Sequence, residues 1–188
     1  RDALRSELEE GLRFEALLID LSARFANVPA DQVDSEIEDA QRRICECLGL
    51  DAALLWQWND QPPAQLTLTH MHRPVDGPPP PTPEEVLAVF PWAHAHLSAG
   101  RMYVHAALDD LPPEAARDKA TFEHYGVKSN VGLPLAVGGA APIGALTFNT
   151  TREPRRWTGA IVSRLQLVAQ IFANALARKV ADTEARPR

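Results

Sequence analysis

The sequence predicts an α+β fold with a mostly antiparallel sheet, and three observations predict it. Helical and strand-like periodicities follow one another as helix, helix, strand, strand, helix, strand, helix, hairpin, helix, so the helices fall into separate blocks. Two pairs of strand-like runs are joined by segments rich in turn-forming residues. Long apolar-striped helices stand at both ends, and there are no internal repeats.

The first helix covers residues 2–26, with Phe14, Leu18, Leu21 and Phe25 on one apolar stripe. Leu8, Leu12 and Ile19 form a second stripe beside it, as in a helix that packs on both its own core and a partner. Asn27-Val-Pro-Ala closes this helix, and Asp31 is the expected N-cap of a second one ending at Leu48, with Gly49 as its C′ residue. Val33, Ile37, Ala40, Ile44 and Cys47/Leu48 form that helix's buried stripe, which makes Cys47 a core filler.

Two strand-like runs come next. Leu54, Trp56 and Trp58 share a face of residues 53–58, and Leu66, Leu68, His70 and His72 share one of residues 65–72. Asn59-Asp-Gln-Pro-Pro between them is turn chemistry. The polyproline stretch over residues 73–83 can be neither helix nor central strand and reads as a stiff connector. Thr82-Pro-Glu-Glu opens a helix carrying Val86, Val89 and Phe90 and, after Pro91, Trp92 through Leu97. Residues 101–105 form a short strand with Met102 and Val104 on one side and Tyr103 and His105 on the other. Leu111-Pro-Pro-Glu starts a helix that stops at Gly126, and a hairpin over residues 129–148 leads to a closing helix from about 158 to 184.

At 188 residues, 45% hydrophobic and 23% charged, the chain is long enough for one core and short for two, so residues 1–188 read as one domain. A net charge of −6 with scattered Lys and Arg argues against a nucleic-acid surface. No apolar run approaches the ~20 residues of a membrane span, which predicts no membrane contact. With no signal peptide the expected compartment is the cytoplasm. Cys45 and Cys47, two apart on a helix, point about 200° away from each other and can neither pair nor share a metal. The chain begins at Arg1 and ends in a charged helix, as expected of a module excised from a longer protein.

The hairpin is unusual. Val131, Leu133, Leu135 and Val137 alternate with Gly132, Pro134 and Ala136, so one face is bulky and the other nearly bare. A bare face admits another element or a ligand close to the backbone, and Pro134 implies an edge or a bulge.

"Lys-Ser-Asn-Val-Gly-Leu-Pro-Leu-Ala-Val-Gly-Gly", then "Pro-Ile-Gly-Ala-Leu-Thr-Phe", then a long amphipathic helix, together resemble the C-terminal half of a GAF domain. "Ala40-Gln-Arg-Arg-Ile-Cys-Glu-Cys-Leu-Gly-Leu-Asp-Ala-Ala-Leu-Leu-Trp" resembles the GAF helix that feeds the first strand. "Phe172-Ala-Asn-Ala-Leu-Ala-Arg-Lys" resembles the exit helix of GAF modules in bacterial sensor histidine kinases and related two-component regulators. The resemblance spans roughly residues 12–180. It implies a GAF/PAS-like central antiparallel sheet, with the N- and C-terminal helices on one face and a roof of helices and loops over the other. It further implies a sensory role in signal transduction, a small-molecule pocket under the roof, and a covalently linked output domain.

The pocket candidates are Met71, Trp92, Met102, Tyr103, His105, Phe122 and Tyr125, aromatic or soft side chains with a few polar tips on the middle-chain elements. No enzyme is expected. The cysteines lie away from the roof, unlike those of a GAF-like methionine sulfoxide reductase or a bilin-attaching relative, and no cyclic-nucleotide signature is present. No phosphate loop or nucleophile elbow appears, and Asp109-Asp110 reads as helix-start chemistry. His70 and His72 can place two imidazoles side by side, but no third ligand stands at a zinc spacing, so no metal is expected. The sequence requires no cofactor and leaves the ligand unnamed, with haem on His105 or His72 among the candidates.

In the last helix Ile161, Leu165, Val168 and Phe172 make a heptad-like seam. With Leu8, Leu12 and Ile19 this predicts a homodimer through the terminal helices, residues 1–26 and 158–188, which would relay ligand state to the output domain. The alternative is a GAF scaffold without a ligand, serving only to dimerise and space its neighbours; a pocket filled by Trp92, Tyr103 and Phe122 would favour it.

Overall fold

The computed structural model describes residues 1–59, 65–74 and 76–186. Beyond Asn59, the turn read at residues 59–63 lies outside them, as do position 75 of the polyproline stretch and the last two residues of the closing segment.

Helix α1 runs Asp2–Ala26 and buries Phe14, Leu21 and Phe25, while its second stripe faces outward. A single 3-10 turn at Ala30–Gln32 precedes α2, Val33–Leu48, so Asp31 falls in that turn and caps nothing. Gly49 ends α2 at φ 65°, the left-handed conformation that glycine adopts without penalty. The buried face of α2 also takes Cys45, one turn beyond Gln41 and beside Ile44 and Leu48, while Cys47 is partly buried and packs against the same core. Burial pushes the Cys45 thiol up to about 12, so it stays protonated and inert.

Five antiparallel strands form one sheet in the order β2-β1-β5-β4-β3. They are β1 (Ala52–Trp58), β2 (Leu66–His72), β3 (Tyr103–His105), β4 (Ser129–Leu135) and β5 (Gly144–Thr150). Each strand's side chains split between two layers. Val131, Leu133, Leu135, Leu146 and Phe148 face α1, α2 and the closing helix α6, Gly159–Ala185, in one core. Trp56, Leu66, Tyr103 and Ala145 face a second apolar layer with α3 (Val86–Val89), α4 (Pro91–Ser98) and α5 (Ala116–His124).

A register shift in the β1–β2 ladder corrects one sequence expectation. Leu55 pairs with His70 while Trp56 pairs with Leu68, leaving Thr69 as an extra residue. The alternation therefore reverses within β2. Leu66 and Leu68 pack with the roof, whereas His70 turns to the helix layer and meets Asp34 of α2 at 2.7 Å.

The bare face of the hairpin has a physical reason at Gly132, where a Cβ would overlap the ring of Tyr103. Gly144 lies on the opposite, bulky face, across from Leu135, and a Cβ there would overlap the Trp56 carbonyl oxygen. Pro134 needs no bulge. β3 pairs only as far as Gly132, so at Pro134 the strand has a neighbour on one side alone, where the missing N–H is tolerated.

Thr158 caps α6, its hydroxyl accepting from Ile161 N. By length and composition α6 is apolar enough to cross a membrane, contrary to the reading that no run approaches a span; here eight of its residues are buried against the sheet and its neighbours. Ile161, Leu165, Val168 and Phe172 are among them, each at most 3% exposed. They form this chain's own core and are not available to a second copy. Leu8, Leu12 and Ile19 are 65%, 58% and 67% exposed and remain open.

Polar clamps tie the helix layer together. Arg155, just before α6, reaches Glu10 of α1 and the Leu48 carbonyl at the end of α2, both at 2.5 Å. Arg178 of α6 donates to the Phe25 carbonyl at the end of α1. Asp34 joins three elements, accepting from His70 of β2 and from Lys179 of α6 at 2.6 Å.

Candidate functional site

Between the sheet and its roof lies a cavity of about 250 Å³. Its floor is the face of the sheet opposite the terminal helices: Leu54 and Trp56 of β1, Asn130 of β4, and Ala145, Thr147 and Asn149 of β5. Small residues at 145 and 147 keep this floor low, which is why space remains. Val86, Phe90, Ala93, His94 and Leu97 of α3 and α4 form the roof, and Tyr103, Phe122 and Val127 close one wall.

The roof is held by a buried carboxylate. Asp118 of α5 accepts from the backbone N–H groups of Trp92 and Ala93 at 3.0 and 2.8 Å, the exposed donors at the start of α4. Burial raises its pKa, and those two bonds work against the rise. Pro91 at the first position of α4 and the non-helical Phe90 before it, at φ −128° and ψ 52°, break the single helix expected over residues 83–97 into α3 and α4.

The proline-rich segment is more than a connector, because it crosses the cavity mouth. Arg73, Pro74, Asp76, Gly77, Pro78, Pro80 and Pro81 all border the space. The segment is fastened by Arg73 Nη1 to the Pro78 carbonyl at 2.9 Å and by Tyr125 Oη to the Pro79 carbonyl at 3.1 Å.

Of the seven pocket candidates, the structure brings three to the cavity: Tyr103, Phe122 and Tyr125. Trp92 stands behind the roof against Tyr103 and His96, its ring centroids 5.2 and 4.3 Å from theirs. Met102 falls on the other face of its strand and packs against the helix-layer core, accepting from Gln166. Met71 is 40% exposed on the edge strand, past the bulge. His105 is buried beside Phe122 but outside the cavity lining. Neither of its ring nitrogens has a hydrogen-bond partner, and burial pulls its pKa down to about 4. His94 does line the cavity, edge-on to Trp58, and burial lowers its pKa also.

Asn130 and Asn149 were not singled out by sequence, although alternation alone puts both on the bare face of the hairpin. The signal was available in the poor fit of asparagine to a central strand. Among the described residues no group of three metal-ligating side chains exists, and His70 is engaged by Asp34 and Thr69. Asp110 caps its own turn by accepting from Ala107 N, and Asp109 pairs with Lys119.

Residues 33–176 match the GAF domain family, and the chain belongs to that family. The fold is shared with solved GAF domains. The GAF domain of a phosphoenolpyruvate-protein phosphotransferase (ptsP) from Coxiella burnetii is 13% identical, with a TM-score of 0.68 over 93% of this chain and 98% of that one. A phycocyanobilin-bound GAF domain from a cyanobacterial phytochrome is 16% identical, with a TM-score of 0.68 over 90% and 96%. The blue-light-absorbing PixJ GAF domain of Thermosynechococcus elongatus is 14% identical, with a TM-score of 0.58 over 84% and 96%. No curated protein matches the chain in sequence.

Proposed function

We propose that this GAF domain is a sensory module that binds a small molecule between its sheet and roof and passes the bound state to its terminal helices. The observation that carries the reading is the cavity itself. Tyr103 and Phe122 line about 250 Å³ of space without filling it, and Trp92 stays outside it. A scaffold without a ligand has no need of such a void, since empty apolar space forfeits dispersion contacts.

The cavity bounds the ligand. At organic packing density it holds about a dozen non-hydrogen atoms. The bilin of the phytochrome relative is several times larger, and this chain's two cysteines lie on α2, on the far side of the sheet. Haem is likewise too large, and His105 and His72 do not reach the space. No nucleophile with a base beside it lines the cavity among the described residues, which supports binding over catalysis.

The relay runs through the sheet. A ligand that favours one arrangement of roof and floor shifts the population of that arrangement in proportion to its differential affinity. The helix layer sits on the opposite face and is clamped to β2 and to the α6 entry by Asp34 and Arg155. The outward stripe of α1 (Leu4, Leu8, Leu12 and Ile19) is the surface through which a second copy pairs, and a linked output domain receives the change.

A library of small uncharged molecules, screened by melting temperature on the wild type and on Ala145→Phe, tests this. Ala145 is on the floor, and phenylalanine there occupies much of the cavity. A ligand at about 100 times its Kd adds about 2.7 kcal/mol, or roughly 5–10 °C for a chain of this size. Compounds that stabilise the wild type but not the variant support the reading. Equal shifts in both proteins overturn it.

A further inference from the structure

We propose that the Tyr103 hydroxyl is the polar anchor of this cavity, and that its ligand is an uncharged carbonyl compound, a flat apolar body whose carbonyl oxygen accepts the phenol proton. The inference rests on the reading of the cavity as a ligand site and adds the chemical class of its occupant.

Sheet register puts this hydroxyl on the cavity floor. Tyr103 of β3 pairs with Gly132 of β4, Gly132 with Thr147 of β5, and Thr147 with Leu54 of β1, one row across the sheet. Residues directly opposite share a face, and Tyr103, Thr147 and Leu54 all border the cavity. Because Gly132 has no side chain, the tyrosine lies down over β4, its Oη 2.8 Å from where a Cβ of Gly132 would stand. Neighbouring strands are about 4.8 Å apart and a tyrosine side chain is longer than that, so the hydroxyl is carried over β4 toward Thr147.

It is the unspent polar group of the floor. Tyr103 is 7% exposed, and a tyrosine so buried normally finds a partner for its O–H. Among the described residues this one makes no hydrogen bond, and it is not sealed within the protein as the Asn130 and Asn149 oxygens are. The Thr147 hydroxyl beside it donates instead to the Leu54 carbonyl, at 3.5 Å. What is missing is an acceptor. Burial, with the Asp118 carboxylate adding to it, holds the phenol above its usual range, so the proton stays on the oxygen.

The surroundings select among acceptors. A carboxylate would stand in the field of Asp118 and give up its hydration for one hydroxyl. Arg73, the guanidinium on the cavity lining, is at the mouth and engaged by the Pro78 carbonyl. A neutral ketone or amide takes the same proton and sheds far less hydration. Trp56, Phe90 and Phe122 supply the aromatic surface for a flat body.

Four flat probes of equal size test this: acetophenone, α-methylstyrene with a methylene in place of the carbonyl oxygen, indole with a donor only, and benzoate with a charge. Each is titrated into the isotope-labelled wild type and Tyr103→Phe, and amide chemical shifts give both the dissociation constant and the place of binding. The substitution removes one oxygen and keeps the ring over Gly132, so the fold is retained. In the expected result acetophenone shifts the amides of Gly132, Ala145 and Thr147, and Tyr103→Phe weakens it about tenfold, the net worth of a satisfied hydrogen bond. The substitution leaves α-methylstyrene and indole within about twofold, and benzoate binds the wild type at least about tenfold more weakly than acetophenone. If acetophenone keeps its affinity in Tyr103→Phe while the floor amides still move, the hydroxyl is not the anchor, although the cavity stands as a ligand site. If indole is the probe that Tyr103→Phe weakens, or benzoate matches acetophenone, the ligand class is overturned. If no probe moves the floor amides, the proposal and the reading beneath it both fall.

Discussion

His105→Leu is expected to remove a large part of the protein's sensitivity to mild acid. The imidazole is buried beside Phe122, neither nitrogen is paired, and its pKa is drawn from 6.5 to about 4. Burial is the main cause; the nearby Asp110 and the Ala107 backbone oppose it. Above pH 7.5 the side chain is neutral in folded and unfolded chains alike and contributes no pH dependence. As pH falls through 6.5 the unfolded chain takes up a proton that the native state refuses, so stability is lost from there down to about pH 4. At pH 5 the difference in proton binding amounts to about 2 kcal/mol. Leucine is similar in size, carries no proton and leaves no buried nitrogen unsatisfied, so at pH 7.5 the variant equals or exceeds the wild type in stability. Urea denaturation at pH 7.5 and pH 5 measures both. With a slope of about 2 kcal/mol/M, the wild-type midpoint drops about 1 M more than that of His105→Leu. Carboxylates common to both proteins cancel in the comparison. Parallel pH dependence in the two chains would refute the reasoning and place His105 in a paired or hydrated setting.

Gly132→Ala pushes a methyl group into the Tyr103 ring and is expected to cost about 1–3 kcal/mol, with a changed near-ultraviolet circular dichroism spectrum. Asp118→Ala leaves two N–H groups at the start of α4 unpaired, a loss of about 2 kcal/mol in denaturant titration, with faster amide exchange in α4. Glutamate at both Leu8 and Leu12 turns a dimer into a monomer in sedimentation velocity without lowering the monomer's unfolding midpoint, because both side chains are exposed in one chain. Asp34 has a lowered pKa: burial works against the charged form, and hydrogen bonds from Lys179 and His70 outweigh it. Its contribution is present above the ordinary carboxylate range and lost as pH falls through it, so Asp34→Asn flattens that part of the stability profile.

Element order, the ends of α1 and α6, and the left-handed stop at Gly49 were legible in the sequence, because periodicity and turn chemistry act locally. The bare face of the hairpin was legible too, but not its occupant, since Tyr103 reaches Gly132 only through the sheet register. The bulge at Thr69 was not legible. One extra residue reverses every later side chain in β2, and nothing in residues 65–72 marks where it falls. Met102 and Tyr103 cannot both face the roof, because neighbouring residues of a strand point to opposite faces of the sheet. The heptad-like seam of α6 looked the same whether it met a sheet or a second helix, and only the topology decided between them. The proline content makes the segment over residues 73–83 non-helical, yet its place over the cavity depends on Tyr125, 46 residues away from Pro79.

The central claim is that the space between sheet and roof holds a small molecule. Native mass spectrometry of the wild type and Ala145→Phe, each as purified and again after addition of the stabilising compounds from the melting-temperature screen, tests it most directly. The account predicts a non-covalent adduct of no more than ~200 Da, the size the cavity admits at organic packing density, on the wild type and none on the variant. The same adduct on both proteins, or none on either, would contradict it.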